Sequence, residues 1–424
     1  MSPYNIGEVF TLDPDAVRCP HDRFARARDE EPVTWVEEIG AYVVSRYEDV
    51  VQILRHPELF SSSVAVGSVS MKLAGELAAD DERFRDALTR VASNLAPALL
   101  NADPPLHNRQ RSLVSRAFTQ RRANEAEPAI RAIATELADG FVDLGDVELI
   151  SEFAVPLPLS VIADRLDVPR SDLPRFKRWS DAFTLAIGNH GLSREELREM
   201  ILSQAEFLDY FDDLVEQRRP AVGDDLVTVI ANSSTSGGDE LSRPEVLSML
   251  MQFLVAGNET TTNLIGSAMR ILAESPHLVR QLRSQEGLIA PFVEEVLRLE
   301  SPVQGPYRRA VEDSTVGGCR IPAGSKLWLA FSSCNRDDRA FPEPNTLDIH
   351  REDPQPHLAF GFGGHYCLGA ALARTEARVA LEVLLDRFEE IRLQDTDSTQ
   401  WHASYMLRGH SELKLSFRRA QLRG

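Results

Sequence analysis

The spacing of apolar residues predicts long helices and only short strands. Apolar positions three and four residues apart, which mark one face of a helix, recur along much of the chain. The predicted helices are residues 47–55, 127–144, 150–165, 194–219, 242–275, 288–300 and a run that begins at 368. Short runs rich in β-branched or aromatic residues predict strands at 41–44, 328–331 and 413–417, and one more after the helix break at 301–306.

The longest predicted helix carries an interruption. It opens with Ser242 as a capping residue, has Glu245 in its first turn and stops before Pro276. About 30 residues at about 1.5 Å each would extend about 45 Å. Residues 256–262, AGNETTT, lie in its middle, where glycine and β-branched threonine weaken a helix. Taken alone, such a stretch is more often a packing irregularity than a functional site.

A glycine-rich loop precedes the last long helix. In residues 360–369, FGFGGHYCLG, three glycines come before Cys367 and Gly369 follows it. Glycine allows backbone angles closed to other residues and lets a flat ligand approach the main chain. Free N–H groups and the helix dipole favour an anion at a helix N-terminus. The pattern therefore predicts a loop that holds the Cys367 sulfur as a thiolate.

Two other interpretations of this loop are weaker. A lone cysteine is commonly a small buried hydrophobic residue. A glycine-rich turn before a helix can also bind a dinucleotide, but that motif requires a further glycine where Tyr366 stands.

The loop resembles the haem-binding loop of the cytochrome P-450 monooxygenases. The shared positions are Phe360, Gly361, Gly363, His365, Cys367 and Gly369. The resemblance implies a mainly α fold with a small β region, the cytochrome P-450 fold, over residues 1–424 as a single domain. It also implies haem b as the cofactor, Cys367 as the iron ligand, and Phe360, Gly361, His365 and Gly369 as cofactor-binding residues.

The middle of the long helix is similar to the oxygen-activating motif of the same family. The resemblance implies that the small residues Ala256 and Gly257 let the haem approach the helix. It assigns catalysis to Thr260, whose hydroxyl holds and relays a proton, and to Glu259, which supplies that proton from solvent. Glutamate is the less common acid at this place in the family.

Basic residues elsewhere match the family's haem-propionate ligands. His107 and Arg111 are four residues apart and share a helical face, and a guanidinium suits a buried carboxylate. The resemblance adds Arg308, with Arg309 as the alternative one residue along. A solvated basic face is the competing interpretation of His107 and Arg111.

A buried triad is also implied by the resemblance. Glu295 and Arg298 are three apart on one predicted helix and can pair. In the family this pair clamps the loop before the cysteine together with a second arginine, and Arg351 matches that role. The triad is expected to be structural.

Composition excludes several other classes. Hydrophobic residues make up 43% of the chain and charged residues 26%, as in ordinary globular proteins. A formal net charge of -19 argues against nucleic acid as a partner. The four cysteines are widely spaced and suggest neither a zinc site nor disulfides, so a reducing, cytoplasmic compartment is expected. Residues 1–20 lack a signal-peptide pattern and no apolar run is long enough for a membrane anchor.

The expected reaction inserts one oxygen atom of O₂ into an apolar small molecule, by hydroxylation or epoxidation. Electrons would come from NAD(P)H through a ferredoxin reductase and a ferredoxin that docks near Arg374 and Arg378, and the enzyme would be a monomer. The alternative for the two arginines is pairing within the fold. The family's layout gives the substrate-pocket candidates Phe253, Ala256, Val303 and Met406. By the same resemblance residues 61–100 would lie over the substrate, with a surface loop as the equal alternative, and the aromatic, glycine-interrupted segment 179–192 would form a further cover.

Two other functions stay open at this point. One is a haem-thiolate peroxygenase driven by peroxide, which has little need of Glu259 and Thr260. The other is a haem sensor or carrier without catalysis.

Overall fold

Helices carry most of the chain in the computed structural model, which describes residues 5–64, 71–185, 187–189, 191–219, 221–223, 225–234, 238, 240–352, 355–395 and 399–420. The α-helices, in chain order, are α1 Gly7–Phe10, α2 Pro14–Arg18, α3 His21–Glu30, α4 Tyr47–Arg55, α5 Met71–Asp80, α6 Glu82–Asn94, α7 Leu106–Val114, α8 Gln120–Asp139, α9 Pro156–Arg165, α10 Leu173–Thr184, α11 Arg194–Arg218, α12 Leu226–Ala231, α13 Arg243–Glu274, α14 Pro276–Ser284, α15 Ile289–Glu300, α16 Phe331–Cys334 and α17 Ala370–Arg387.

The strands are short. They are β1 Val33–Val36, β2 Ala41–Val44, β3 Phe60–Ser61, β4 Asp146–Glu148, β5 Tyr307–Ala310, β6 Ser314–Val316, β7 Cys319–Ile321, β8 Lys326–Leu329, β9 Phe388–Leu393, β10 Gln400–Trp401, β11 His410–Glu412 and β12 Lys414–Arg419. The largest sheet has the order β1-β2-β8-β5-β3, in which β2 and β8 run parallel. A second sheet has the order β4-β12-β9, and β6-β7 and β10-β11 pair as two-stranded sheets.

Polar caps fix where several helices begin. Ser193 accepts a hydrogen bond from the Glu196 amide while the Glu196 side chain accepts one from the Ser193 amide, which forms a capping box at the start of α11. At the start of α6 the Asp81 side chain accepts a hydrogen bond from the Phe84 amide, and at the start of α12 the Asp225 side chain accepts one from the Thr228 amide. Each cap satisfies an amide that the helix itself leaves without a partner.

The residues separate into two compact units, each made of several chain segments. The first unit comprises residues 1–60, 120–158 and 259–424 and holds the main sheet. One of its cores packs β2 and β8 against α4, with the members Val44, Val50, Ile53, Leu54, Leu327, Leu329, Phe331, Phe341 and Leu358. Burial of these apolar side chains stabilises the packing of β2, β8 and α4 near residues 358–367.

The second unit comprises residues 61–119 and 159–258 and is helical. Its helix α11 packs against α5, α6, α10 and α12. The contact between α10 and α11 is aromatic, with Trp179 edge-on to Phe207 at 5.6 Å and the Phe176 and Phe211 rings 6.0 Å apart. Such pairs add about 0.5–1.5 kcal/mol beyond their buried area.

Most sequence-based expectations for single elements are confirmed. The predicted strand at 41–44 and the predicted helix at 47–55 are β2 and α4 with those bounds. The predicted helix 242–275 is α13, which has 32 residues. The predominance of helix with small sheets confirms the expected fold class. A single domain over residues 1–424 stays a prediction.

Other boundaries were wrong. The helix expected at 127–144 is α8, which begins at Gln120 and ends at Asp139. Its first turns are polar and show no apolar period, but ion pairs one turn apart, such as Arg121 with Glu125, stabilise them. The strand expected at 328–331 ends at Leu329, and Phe331 instead begins the one-turn helix α16.

The segment at 61–100 is more regular than its sequence suggests. Its described part contains α5 and α6, and residues 65–70 lie outside the described residues. The Ser- and Gly-rich residues 233–239, SSTSGGD, predict a flexible connection, and 235–237 and 239 of this segment also lie outside the described residues. Within the described ranges, no helix combines the length and the apolar character that a membrane span requires.

Candidate active site

Cys367 closes a tight loop whose backbone is bonded to itself. The Cys367 amide donates a hydrogen bond to the Phe360 carbonyl oxygen at 2.8 Å, and the Tyr366 amide donates one to Gly363 at 3.1 Å. Gly361 and Gly363 have φ angles of 72° and 71°, which only glycine adopts without appreciable strain. The loop leaves Cys367 exposed. The sequence therefore folds so that a thiol is presented outward from a fixed backbone.

The helix after this loop begins slightly later than expected. α17 starts at Ala370 with Gly369 as its N-cap, and not at residue 368. Cys367 thus precedes the first turn, on the side where the helix dipole favours an anion. A methyl group placed on Gly369 would meet no protein atom within 4 Å. The space beside the cysteine loop is open.

The loop lies on α4 and α16. A methyl group on Gly363 would approach the Leu54 carbonyl oxygen to 3.0 Å, and one on Gly361 would contact the Phe331 ring at 3.8 Å. The Arg55 guanidinium lies over the Phe362 ring, 5.4 Å from its centre. Close packing here requires glycine at 363 for space as well as for its φ angle.

Phe360 is covered by a salt bridge. The Arg374 guanidinium lies 4.5 Å from the centre of the Phe360 ring and donates hydrogen bonds of 2.7 and 2.9 Å to the Glu294 carboxylate. Burial acts to raise the pKa of Glu294, but the bonds from Arg374 and His357 outweigh it and lower that pKa to about 2. Arg374 is thus engaged within the fold.

Glu295, Arg298 and Arg351 come together as the sequence suggested. Arg298 donates to the Glu295 carboxylate at 2.7 and 2.9 Å, and Arg351 donates to it at 3.3 Å. Burial acts to raise the pKa of Glu295, but hydrogen bonds from Arg298 and the Asp348 amide hold it below its usual range. Arg298 also donates to the carbonyl oxygens of Asn335, Pro344 and Thr346 at 2.7–3.0 Å. The triad therefore fixes the backbone around residues 335–351.

Asn335 extends this network toward the cysteine loop, a role that the sequence analysis missed. Its buried side chain accepts a hydrogen bond from the Leu358 amide at 2.6 Å and donates one to Ser301 at 2.9 Å. Leu358 in turn accepts a bond from the Gly361 amide at 2.8 Å. The polar run 332–337 between apolar segments was the signal that could have drawn attention to it.

The middle of α13 is polar because its side chains bond to neighbouring elements. Asn258 donates to the Ser180 hydroxyl and Thr262 donates to the Ala154 carbonyl oxygen, both at 2.9 Å and both buried. Ala256, by contrast, is exposed and Thr260 is partly exposed. The helix therefore carries buried polar anchors beside an open stretch of small and hydroxyl residues.

Glu259 contacts a residue from the C-terminal part of the chain and a residue of its own helix. The His402 Nε2 lies 3.6 Å from Glu259 Oε1, and Asn263, one turn further along α13, donates to the same oxygen at 3.5 Å. No sequence pattern links His402 to Glu259, because the two residues are far apart in the chain.

Comparison with known proteins decides the family. The model of the cytochrome P-450 family matches residues 288–414. The chain is 35% identical to cytochrome P-450 107B1 of Saccharopolyspora erythraea, over 97% of this chain and 98% of that protein. The chain belongs to the cytochrome P-450 family. The expected membership in this family is thereby confirmed, while the haem-binding roles of residues 360–369 stay predictions.

Two further relatives extend the likeness. Mycinamicin IV hydroxylase/epoxidase of Micromonospora griseorubida is 37% identical over 92% of this chain and 94% of that protein. The crystal structure of CYP109E1 from Bacillus megaterium in complex with testosterone superimposes with a TM-score of 0.79 at 32% identity, covering 94% of this chain and 99% of that one. As a cytochrome P-450, the protein binds haem b and is an oxygen-incorporating oxidoreductase.

The donor set fits a haem iron and no other common metal site. Among the described residues, no three His, Cys, Asp or Glu side chains converge as metal ligands. A metal held by protein alone requires three or four such ligands, whereas a haem iron takes four nitrogens from its porphyrin and one or two ligands from the protein. The exposed Cys367 thiol and the open space at Gly369 match that need.

The other cofactor candidates of this cytochrome P-450 lie in both units. His107 is buried and Arg111 half-buried on α7, and their side chains fall one helical turn apart. On β5, Arg308 is buried and donates to its neighbour Tyr307, while Arg309 is exposed. Burial therefore favours Arg308 over Arg309 as the inward-facing residue.

The four pocket candidates are placed in two separate groups. Met406 accepts a backbone hydrogen bond from Gln304 at 2.8 Å, and Val303 forms a β-bridge with Leu407, so that Val303 and Met406 are neighbours in the first unit. In the second unit Phe253 packs against Phe118, with ring centres 5.0 Å apart. Ala256 follows on the same helix, α13.

Proposed function

We propose that this cytochrome P-450 is a haem-thiolate monooxygenase that hydroxylates or epoxidises a steroid-sized apolar substrate. The observation that carries the proposal is the Cys367 thiol, exposed at the end of a loop held by the bond between the Cys367 amide and Phe360. When bound, haem b supplies the iron at which O₂ is reduced and cleaved, and thiolate ligation favours that cleavage.

The protein's own residues divide the remaining work. Cys367 supplies the thiolate, and the loop containing Gly361 and Gly369 lets the haem approach the backbone. Thr260 holds a proton on its hydroxyl and Glu259, the next residue on α13, replaces it from solvent. The partial exposure of both side chains supports these roles, because solvent protons have to reach them.

Four basic side chains are proposed to hold the haem carboxylates. They are His107, Arg111, Arg308 and His365. Arginine pairs with a carboxylate through two parallel hydrogen bonds. Arg308 is buried beside Tyr307, so water competes less for a carboxylate bound to it. Phe360, Ala256 and Gly257 complete the proposed cofactor contacts through apolar surface.

The substrate class rests on the pocket candidates and on the relatives. Phe253, Val303 and Met406 are apolar, as a pocket for an apolar guest requires. One relative is named as a mycinamicin IV hydroxylase/epoxidase and another is solved with testosterone. A bulky and mostly apolar molecule is the class that both names suggest.

A ferredoxin and its NAD(P)H-dependent reductase are the proposed electron source. The reaction takes up two electrons, because one oxygen atom of O₂ enters the substrate while the other leaves as water. The docking face first suggested around Arg374 and Arg378 has its charge compensated. Arg374 pairs with Glu294, and Arg378 bonds to Glu127 and Glu382. The paired-arginine alternative is the one that these contacts support.

The experiment is a reduced carbon monoxide spectrum followed by turnover. The haem-loaded protein, reduced under carbon monoxide, should show the red-shifted Soret band of thiolate ligation. With a [2Fe–2S] ferredoxin, its reductase, NADPH and testosterone as the first probe, a product mass increased by one oxygen atom is expected. An ordinary Soret position would refute thiolate ligation, and product with peroxide but never with NADPH and O₂ would favour a peroxygenase. A cytoplasmic monomer stays a prediction.

A further inference from the structure

A histidine from the C-terminal region lies beside the acid on α13. The His402 Nε2 is 3.6 Å from Glu259 Oε1, and the His402 side chain is 36% exposed whereas that of Glu259 is 18% exposed. His402 is therefore the more solvent-exposed partner of the pair. A separation of 3.6 Å is longer than a direct hydrogen bond, so proton transfer between the two atoms requires a small side-chain rotation that shortens the contact.

The backbone around His402 is fixed against α13. The His402 amide donates to the Gly409 carbonyl oxygen at 3.1 Å, and the His402 carbonyl oxygen accepts the Ser404 amide at 2.9 Å. A side chain at Gly409 would overlap Asn263, the residue that also donates to Glu259 at 3.5 Å. The turn, Asn263 and Glu259 thus form one packed group, and His402 is held next to the carboxylate by the backbone.

His402 forms part of the wall of a small cavity. Its volume is about 20 Å³, and its wall also includes Ser404, Tyr405, Gln304 and Arg408. A cavity of about 10–15 Å³ or more holds one water when two or more polar groups line it. Arg408 in that wall is paired with Glu300 at 3.0 Å, and Arg270, which also bonds Glu300, pairs in addition with Glu274. The cavity therefore offers room for a water beside His402.

We propose that His402 is the relay residue through which solvent protons reach Glu259 during oxygen cleavage. The inference rests on the proposed role of Glu259 as the acid of the site. After Glu259 has passed on its proton, the Nε2–H bond of the His402 imidazolium breaks as an Oε1–H bond forms on Glu259. A hydrated proton from solvent then protonates the imidazole again and leaves neutral water, so that each proton passed on by Glu259 is replaced by one from solvent. His402 acts through Glu259 and is a positioning residue, not a catalytic one.

A structural role for His402 is distinguishable from this one. An ion pair of this exposure contributes little to folding, about 0–1 kcal/mol, and Glu259 keeps its contact with Asn263 when His402 is changed. His402→Gln should therefore load haem and unfold at the same temperature as the unsubstituted protein. Its effect should fall on proton delivery alone.

The first experiment compares His402→Gln with His56→Gln in the haem-loaded enzyme. His56 is a matched control, because it is exposed and lies 2.9 Å from Glu58, far along the chain from α13. With ferredoxin, reductase, NADPH and substrate, we expect product per NADPH to fall by about threefold to tenfold in His402→Gln, the missing electrons appearing as hydrogen peroxide. His56→Gln should match the unsubstituted enzyme.

Two further measurements separate relay from packing. In the double variant Glu259→Gln/His402→Gln, product per NADPH should equal that of Glu259→Gln alone, because both changes remove one path. In ¹⁵N-histidine-labelled protein, in the ferrous carbon monoxide form, the His402 Nε2 resonance should shift on Glu259→Gln while that of His56 stays in place. The second readout requires no turnover.

The outcomes are separable. Unchanged product per NADPH in His402→Gln, additive losses in the double variant, or an unmoved His402 resonance would each overturn the relay. Failure of the proposed monooxygenase function looks different, since the unsubstituted protein would then give no oxygenated product at all.

Discussion

The Arg298 guanidinium donates two hydrogen bonds to the Glu295 carboxylate, at 2.7 and 2.9 Å, and both side chains are buried. A further bond joins Arg298 to the Asn335 carbonyl oxygen, and the Asn335 side chain binds the Leu358 amide. The Glu295–Arg298 pair thus holds in place the backbone that leads into the Cys367 loop.

Glu295→Gln is expected to destabilise the protein by about 3–5 kcal/mol, because it leaves the Arg298 charge buried without its carboxylate. The midpoint of urea unfolding measures the effect. Arg121→Ala removes the exposed pair with Glu125 and serves as the control, with an expected loss below about 1 kcal/mol. Equal midpoints for the two variants would contradict the structural role.

Arg308→Ala is expected to weaken haem retention by about tenfold or more, because a charged hydrogen bond contributes about 1.5–3 kcal/mol. Arg309→Ala, at the exposed neighbouring position on β5, should retain haem as the unsubstituted protein does. Transfer of haem to apomyoglobin, followed by absorbance, measures retention. Faster loss from Arg309→Ala would reverse the assignment of the two arginines.

Thr260→Ala is expected to lower product per NADPH by about tenfold or more while NADPH consumption continues, because the relayed proton loses its hydroxyl. Thr260→Ser keeps the hydroxyl and should recover most of the coupling. Hydrogen peroxide and product are quantified together. A fully coupled Thr260→Ala enzyme would argue for the peroxide-driven alternative.

Gly409→Ala is expected to destabilise the protein by about 1–3 kcal/mol, since the added methyl group would overlap Asn263. Gly287→Ala is the matched control, because a methyl group there meets no atom within 4 Å. Thermal unfolding of the two variants is the measurement. If both unfold alike, the contact between Gly409 and Asn263 is looser than the structure indicates.

Stability is expected to fall as the pH falls below about 6.5, with His410 as one source. Burial, with Arg270 and Arg408 nearby, lowers the pKa of His410 to about 3. Between pH 6.5 and 3 the unfolded chain binds a proton that the folded protein excludes, so the free energy of unfolding decreases with acid. The loss from this group is roughly 2–3 kcal/mol between pH 6.5 and 4.5.

Urea unfolding at several pH values tests this dependence on His410. His410→Leu carries no titrating group, so its stability should decline less steeply over the same range. His56→Gln, which changes an exposed histidine, should keep the original slope. A slope unaltered by His410→Leu would locate the acid sensitivity elsewhere.

The family and the principal helices and strands could be predicted from the amino-acid sequence. Six of the ten residues 360–369 match the motif of the family, and a motif of consecutive residues can be recognised in one sequence without a structure. The extents of β2, α4 and α13 followed from apolar spacing and capping, which act over one or two turns. The start of α8 was missed because charged pairs, and not apolar residues, stabilise its first turns.

The contacts between polar side chains became visible only in the folded chain. The resemblance favoured Arg308 and kept Arg309 as the alternative, and burial on β5 now separates them. For Arg374 the sequence left open both partner binding and pairing within the fold, and the structure places Glu294 beside it. The contact of His402 with Glu259 joins segments far apart in the chain. Such pairings join residues that lie far apart in the chain. Local sequence patterns describe only residues within one or two turns of each other. The catalytic residue types could therefore be predicted from the sequence, whereas the contacts that support them could not.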